Sequence, residues 1–172
     1  ALDHADVGDL RILIAEDNPV SRGLLQAMLQ SEGLKADVVD DGPSVLEALQ
    51  VRDYDLLLLD CQMPGMDGDI VTRNIRQYSE RYGSDPVIVA VTADTTEQHR
   101  EQCIAAGMDD FMPKPIRLEA LRSGLARWVS MSAARGDAEN QTALAQLRRN
   151  LVQANGTNDE SFVQDSTGLS LV

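Results

Sequence analysis

The chain has 172 residues, 43% of them hydrophobic, and a formal net charge of −13. That length suits one domain with a short appendage, and the apolar share is enough for a sizeable core, which excludes global disorder. An acid excess with no basic run argues against direct contact with nucleic acid or anionic lipid, and no apolar stretch reaches the roughly 20 residues of a membrane span. The opening ALDHADVGDL lacks the basic-then-apolar pattern of a secretory signal and has no initiator Met, so an excised or processed segment is expected. Cys61 and Cys103 match neither a disulfide framework nor a zinc spacing and read as small apolar residues of a reducing compartment.

In chain order, residues 1–8 read as a tail, and the run Leu10–Ala15 as the first strand. Val20, Leu24, Leu25 and Met28 follow at helical spacing as one apolar face, with Gly33 where that helix should end. Ala36–Val39 is a weaker strand, and Pro43 stands near a second helix start. The strand Leu56–Leu59 precedes a helix with Val71, Ile75 and Tyr78 on one face. The strand Val87–Val91 is followed by a polar helix ending near Gly107, then by the weaker run Met108–Met112. Leu118, Leu121, Leu125 and Trp128 mark the last helix, with Trp128 packing its end.

RILIA, DLLLLD and PVIVAVT are continuously apolar rather than alternating, the pattern of strands buried on both faces in a parallel sheet. The weaker second and fifth runs fit the sheet edges. Strand and helix alternate five times, which predicts an α/β, doubly wound (βα)5 domain over residues 9–130. Residues 131–172 read as a linker, a short helix at about 141–154 carrying Leu144, Leu147 and Leu151, and a disordered end.

In such a sheet, ligands bind at the carboxyl ends of the strands. Glu16 and Asp17 follow strand one, Asp60 strand three, Thr92 and Ala93 strand four, and Lys114, framed by Pro113 and Pro115, strand five. Each has an ordinary reading, as a solvated loop acid, a helix cap or a strand-end residue. Their conjunction in order at one sheet edge favours a site. Three converging carboxylates repel unless a cation relieves them, and hard oxygen ligands suit Mg²⁺. With Mg²⁺ and Lys114 the charge sums to zero, leaving a socket for an anionic phosphoryl group with Asp60 as nucleophile. His4 lies in the charged tail and His99 in a polar helix, so neither reads as a phosphodonor.

The stretches ILIAEDNPVSR, LLLLDCQMPGMDG, VIVAVTA and GMDDFMPKPI resemble the receiver, or response-regulator, family over about residues 9–129. The resemblance implies a flavodoxin-like five-stranded parallel sheet in the order 2-1-3-4-5 and phosphoryl transfer from a phosphohistidine to Asp60. It implies Mg²⁺ held directly by Asp17, Asp60 and the backbone carbonyl of Gln62, with Glu16 acting through water. Lys114 would contact the phosphoryl group, Thr92 would hydrogen-bond to it, and Phe111 would be the switch aromatic. Gln62, Ala93 and Asp94 would tune the lifetime of the phosphorylated state. Glu16 stands where the family more often has Asp, a change that keeps the charge. Gly65 and Gly68 serve the turn after strand three.

A phosphatase of the haloacid-dehalogenase type would need a second acid where Gln62 stands. A pseudo-receiver would lack an acid, the acceptor or the Lys, and all are present. LDCQMPGMDG and the following Thr-Arg-x-Ile-Arg helix resemble receivers of hybrid sensor histidine kinases, the preferred parent, with a stand-alone receiver second. Expected partners are a histidine kinase or a histidine phosphotransfer domain, in the cytoplasm, with no nucleic acid or membrane contact by this segment. The segment itself would turn over nothing beyond its own phosphorylation and dephosphorylation.

Overall fold

The computed structural model describes residues 10–77, 79 and 85–135. The chain divides into two compact units, Ala1–Ser132 and Ala133–Val172, and only 133–135 of the second are described. The amino-terminal tail with His4, Tyr78, and the expected helix and disordered end beyond 135 lie outside the described residues. Residues 131–135, read from sequence as the start of a linker, continue the last helix.

Five strands, β1 (Ile12–Ala15), β2 (Ala36–Val39), β3 (Leu56–Asp60), β4 (Val87–Thr92) and β5 (Asp110–Pro113), alternate with α1 (Pro19–Ser31), α2 (Gly42–Val51), α3 (Gly68–Gln77), α4 (Glu97–Ala106) and a fifth helix, α5, over 118–135. All strand pairs are parallel and the order is β2-β1-β3-β4-β5, as the resemblance implies. Ile12 pairs with Leu56 and Leu56 with Val87, so the central strands start level and their carboxyl ends finish at one edge.

Alternation along these strands fills two cores. Leu13, Leu57, Leu59, Ile88 and Ala90 pack with Val45, Val71, Ile75 and Cys103 of α2, α3 and α4. Ile12, Ile14, Leu56, Leu58, Val87 and Val89 pack with Leu25, Leu29, Leu121, Leu125 and Trp128 of α1 and α5. Both faces are thus covered, which is why these strands carry no polar alternation. The edge strand β2 is half-open: Asp37 accepts hydrogen bonds from the Tyr54 hydroxyl (2.6 Å) and Arg52 (3.4 Å) on the rim.

Helix starts are set by side-chain oxygens that satisfy the first backbone N–H groups. Asn18 accepts from Val20 and Ser21, Asp41 from Ser44, and Thr96 from His99. Gly33 and Gly107 close α1 and α4 with φ of 78° and 108°, where a side chain would be strained. One expectation fails. Val20 (78% exposed) and Leu24 (51%) lie outside the core, and α1 packs through Leu25 and Leu29 instead. The apolar positions offer two overlapping i, i+4 rows, and the docking angle on the sheet, not the spacing, selects one.

Arg76 ties α3 to the opposite edge of the sheet. It donates to Pro86 O (3.0 Å), Gly107 O (3.0 Å) and Asp109 (2.7 Å), and pairs with Asp85. Asp110 does the same for α5, accepting from the buried Trp128 indole (2.7 Å), Arg127 (2.9 Å) and the Phe111 N–H (2.8 Å). Burial works against the Asp110 charge, but these donors outweigh it and hold the carboxyl below its usual range. A depressed folded-state value stabilises fully above about pH 4, and the contribution is lost as pH falls through that value. Asp110→Ala should lower the unfolding free energy by about 1–3 kcal/mol at neutral pH, because the indole N–H loses its acceptor. The deficit should shrink in acid, where the wild type loses the same contribution. Urea unfolding followed by fluorescence of Trp128, the only tryptophan, at neutral and acid pH measures both.

Candidate functional site

The sheet edge where the strands end carries the predicted constellation. Glu16 extends β1 by one residue, its N–H donating to Val39 O (3.1 Å), and this carries its side chain into the interior. Only 4% of Glu16 is exposed, while the next residue, Asp17, turns to solvent. The Asn18 N–H donates to Glu16 Oε1 (3.2 Å) and Arg22 to the Glu16 carbonyl (3.1 Å), so the residue is fixed from the start of α1.

Asp60 ends β3, opposite Val91, and is likewise 4% exposed. Its Oδ1 accepts from the Gln62 N–H (3.0 Å). The chain then returns so closely that Gly68 N–H donates to Cys61 O (3.3 Å). A Cβ at Gly68 would stand 3.0 Å from Cys61 Cα and 3.3 Å from Asp60 O, backbone atoms that cannot swing aside. Gly68 is therefore needed for this close approach of α3 to β3; Gly65, with φ of 87°, serves the turn itself.

Thr92 closes β4, and its carbonyl accepts from the Lys114 N–H (2.8 Å), which prolongs the β4–β5 ladder by one step. The peptide bond from Lys114 to Pro115 is cis. The Lys114 ammonium reaches back across the edge to Glu16 Oε2 (2.9 Å) and Asp60 Oδ2 (3.4 Å). Carboxylate oxygens of Glu16, Asp17 and Asp60 lie within 4.8 Å of one another.

Three carboxylates thus face one ammonium. Burial, seconded by the charge of Glu16, pushes Asp60 up to about 6, although the Gln62 N–H and Lys114 pull the other way. Burial disfavours the Lys114 charge, yet Glu16 and Asp60 prevail and hold it above its ordinary value. The residual negative charge is what a divalent cation would neutralise. An octahedral Mg²⁺ with oxygens at about 2.0–2.1 Å spans about 4.2 Å between opposite ligands, so this oxygen set fits one with small inward shifts.

The surrounding candidates have distinct placements. The buried Thr92 hydroxyl oxygen accepts from the Asp94 N–H (3.0 Å), which leaves its own proton to donate. Asp94 turns its carboxylate to Thr96, accepting from its N–H (3.0 Å) and hydroxyl (2.7 Å). Gln62 and Ala93 are exposed to solvent. Phe111 is half-buried, with the His99 ring edge-on at 6.0 Å and the Arg100 guanidinium 6.0 Å from its centroid.

One grouping escaped the sequence. Cys61 and Cys103, read as unrelated, have sulfurs 3.9 Å apart, and His99 Nε2 lies 3.6 Å from Cys103 Sγ. The only local sign was the spacing of His99 and Cys103, one helical turn apart.

Residues 12–126 match the response regulator receiver domain family. The chain is 39% identical over 123 residues to the sensor histidine kinase GacS of Pseudomonas protegens, covering 71% of this chain and 13% of that kinase. It is 36% identical over 118 residues to the sensor histidine kinase RcsC of Salmonella typhi, covering 69% of this chain and 12% of the kinase. The chain therefore spans only about an eighth of the length of these relatives. Among solved structures, it is similar to the receiver domain of a sensor histidine kinase from Pseudomonas aeruginosa, which has a magnesium ion coordinated in its active-site cleft. The identity there is 37%, the TM-score 0.64, and the match covers 70% of this chain and 98% of that one. A receiver domain of a Saccharomyces cerevisiae response regulator, crystallised with a histidine phosphotransfer protein, shares the fold at 23% identity and a TM-score of 0.68, over 74% of this chain and 93% of that one. Among the described residues no helix is long and apolar enough to cross a membrane. With two thirds of its length matched and the acidic edge, Thr92 and Lys114 assembled where the fold positions ligands, the chain belongs to the response regulator receiver domain family.

Proposed function

We propose that this segment accepts a phosphoryl group from a phosphohistidine onto Asp60 and relays it, by a change of conformation, within a hybrid sensor histidine kinase. The observation that carries this reading is the buried Asp60 carboxylate, with one oxygen held by the Gln62 N–H and the other 3.4 Å from the Lys114 ammonium. An oxygen lone pair of Asp60 attacks phosphorus, the P–N bond breaks, and its electrons return to the donor imidazole. Mg²⁺, bound by Asp17, Asp60 and the Gln62 carbonyl with Glu16 through water, would supply charge neutralisation for donor and acceptor oxygens alike. Lys114 turns from Glu16 toward the added anion, and the Thr92 hydroxyl donates to it. Ala93 leaves the approach open, while Gln62 and Asp94 flank the water that would hydrolyse the product.

The donor is a histidine kinase or a histidine phosphotransfer domain, in keeping with the kinases among the relatives. A donor charged from ATP places the receiver in the cytoplasm.

Incubation with acetyl phosphate and Mg²⁺ should add one phosphoryl group, read by intact mass. Asp60→Asn or chelation by EDTA should abolish the adduct, and Lys114→Ala should slow its formation by about a hundredfold or more. An adduct that persists in Asp60→Asn assigns the acceptor elsewhere.

Mg²⁺ should stabilise the fold by about 1.4 kcal/mol at ten times its Kd. Asp17→Ala should remove most of that gain. The gain should also fade as pH drops through about 6, where protonated Asp60 no longer serves as a ligand. Thermal melts across pH, with and without Mg²⁺, test this.

Withdrawal of the Thr92 hydroxyl toward a bound phosphoryl oxygen would open space beside Phe111, which carries no hydroxyl to bury. Beryllofluoride with Mg²⁺ should therefore move amide NMR signals across Val91–Ile116. Changes confined to 16–18 and 60–63 would mean a relay without a switch.

A further inference from the structure

A second cluster of ligand atoms is built from Cys61, the residue that follows Asp60 at the end of β3, and from two residues of α4. Cys61, the residue after β3, is 7% exposed and Cys103 of α4 is 3% exposed. His99 stands one turn before Cys103, on the same side of α4. The sulfurs are 3.9 Å apart, Cys103 Sγ is 3.6 Å from His99 Nε2, and all three ligand atoms lie within 4.8 Å of one another.

We propose that Cys61, His99 and Cys103 form a binding site for a thiophilic divalent cation, Zn²⁺ foremost, distinct from the Mg²⁺ site. Zinc binds sulfur at about 2.3 Å and imidazole nitrogen at about 2.0–2.1 Å in tetrahedral geometry. Those bond lengths put two sulfurs about 3.8 Å apart and a sulfur and a nitrogen about 3.6 Å apart, so two edges of the tetrahedron are already in place. A modest rotation of the half-exposed His99 ring closes the third.

Ligand chemistry sorts the two ions. Thiolate and imidazole select zinc, whereas the carboxylates and carbonyl at the strand ends select Mg²⁺. On binding, each thiol gives up its S–H proton to solvent and the neutral imidazole offers the Nε2 lone pair, so two thiolates balance the +2 charge. Burial, seconded by nearby acids, holds both thiols in the protonated form until a cation displaces the protons. The fourth position falls to water. A bound ion would join α4 to the residue next to Asp60 and fix the His99 ring that packs edge-on against Phe111.

The test is titration of the reduced chain with Co²⁺ in saturating Mg²⁺, read by absorption. One Co²⁺ per chain with a thiolate-to-metal charge-transfer band, displaced by equimolar Zn²⁺, is expected. Cys103→Ser and His99→Ala should each weaken binding by more than about tenfold, the scale seen even for loss of outer-shell partners. Asp17→Ala should leave it unchanged. Far-UV circular dichroism reports that all three variants fold, and Mg²⁺-dependent phosphorylation does so for Cys103→Ser and His99→Ala; His99, being half-exposed, can be removed with little risk to the core. Absence of the band in the wild type, a band undiminished in His99→Ala or Cys103→Ser, or its loss in Asp17→Ala would each overturn the site. So would a loss of two hydrogens by mass in air, oxygen taking up the hydrogens, with no uptake of metal, which would make the pair a disulfide-forming couple rather than a metal site.

Discussion

Glu16 and Asp60 are both nearly excluded from solvent, they lie side by side, and a single ammonium reaches them. Burying like charges is unfavourable, and an isolated pair would protonate or move apart. Their backbones are fixed here. Glu16 is held by the ladder to Val39 and by Asn18 and Arg22, and Asp60 by its place at the end of a strand flanked on both sides. The repulsion is therefore stored in the fold, and the two apolar cores on either side of the sheet hold it there. The electrostatics of the site follow from that buried charge: burial, seconded by Glu16, raises Asp60, and the two carboxylates raise Lys114.

The same logic explains why the machinery is distributed over four loops rather than one. Parallel strands deliver their carboxyl ends to one edge in level register, and each needs to contribute only one or two side chains. Lys114 is the longest reach in the set, 98 positions from Glu16 in the chain, yet its backbone stands one ladder step past Thr92. The sheet converts that sequence distance into a hydrogen-bond length. Gly68 lets α3 approach β3 without displacing it.

Much of this was legible in the sequence because it rests on periodicity and order. Continuous apolar runs announced the buried strands, and the acids, Thr92 and Lys114 each followed a run, so the edge rule placed them together. What was illegible depended on three-dimensional choice. Val20 and Leu24 have the same spacing as core residues, and only the docking of α1 turns them outward. The anchoring of Trp128 by Asp110 joins a strand to a helix 18 positions on, with no local pattern to mark it. The proximity of Cys61 to Cys103 arises because α4 lies against the end of β3, across 42 positions of sequence. Asp94, adjacent to the site in sequence, gives its carboxylate to Thr96 through a local turn that favours short side chains at helix starts.

The sheet is asymmetric at its margins. Among the described residues β2 pairs with β1 alone, so its other rim is a row of peptide groups of the kind that recruits further strands from other molecules. Asp37 sits within that strand, engaged by Tyr54 and Arg52, in a chain carrying thirteen excess negative charges. A second copy approaching edge to edge would bring its own Asp37 and net charge against these, and β2 is only four residues long. Resistance to strand-by-strand aggregation thus resides in a short, acid-bearing margin, at the end of the sheet order opposite the β5 strand that leads into Lys114.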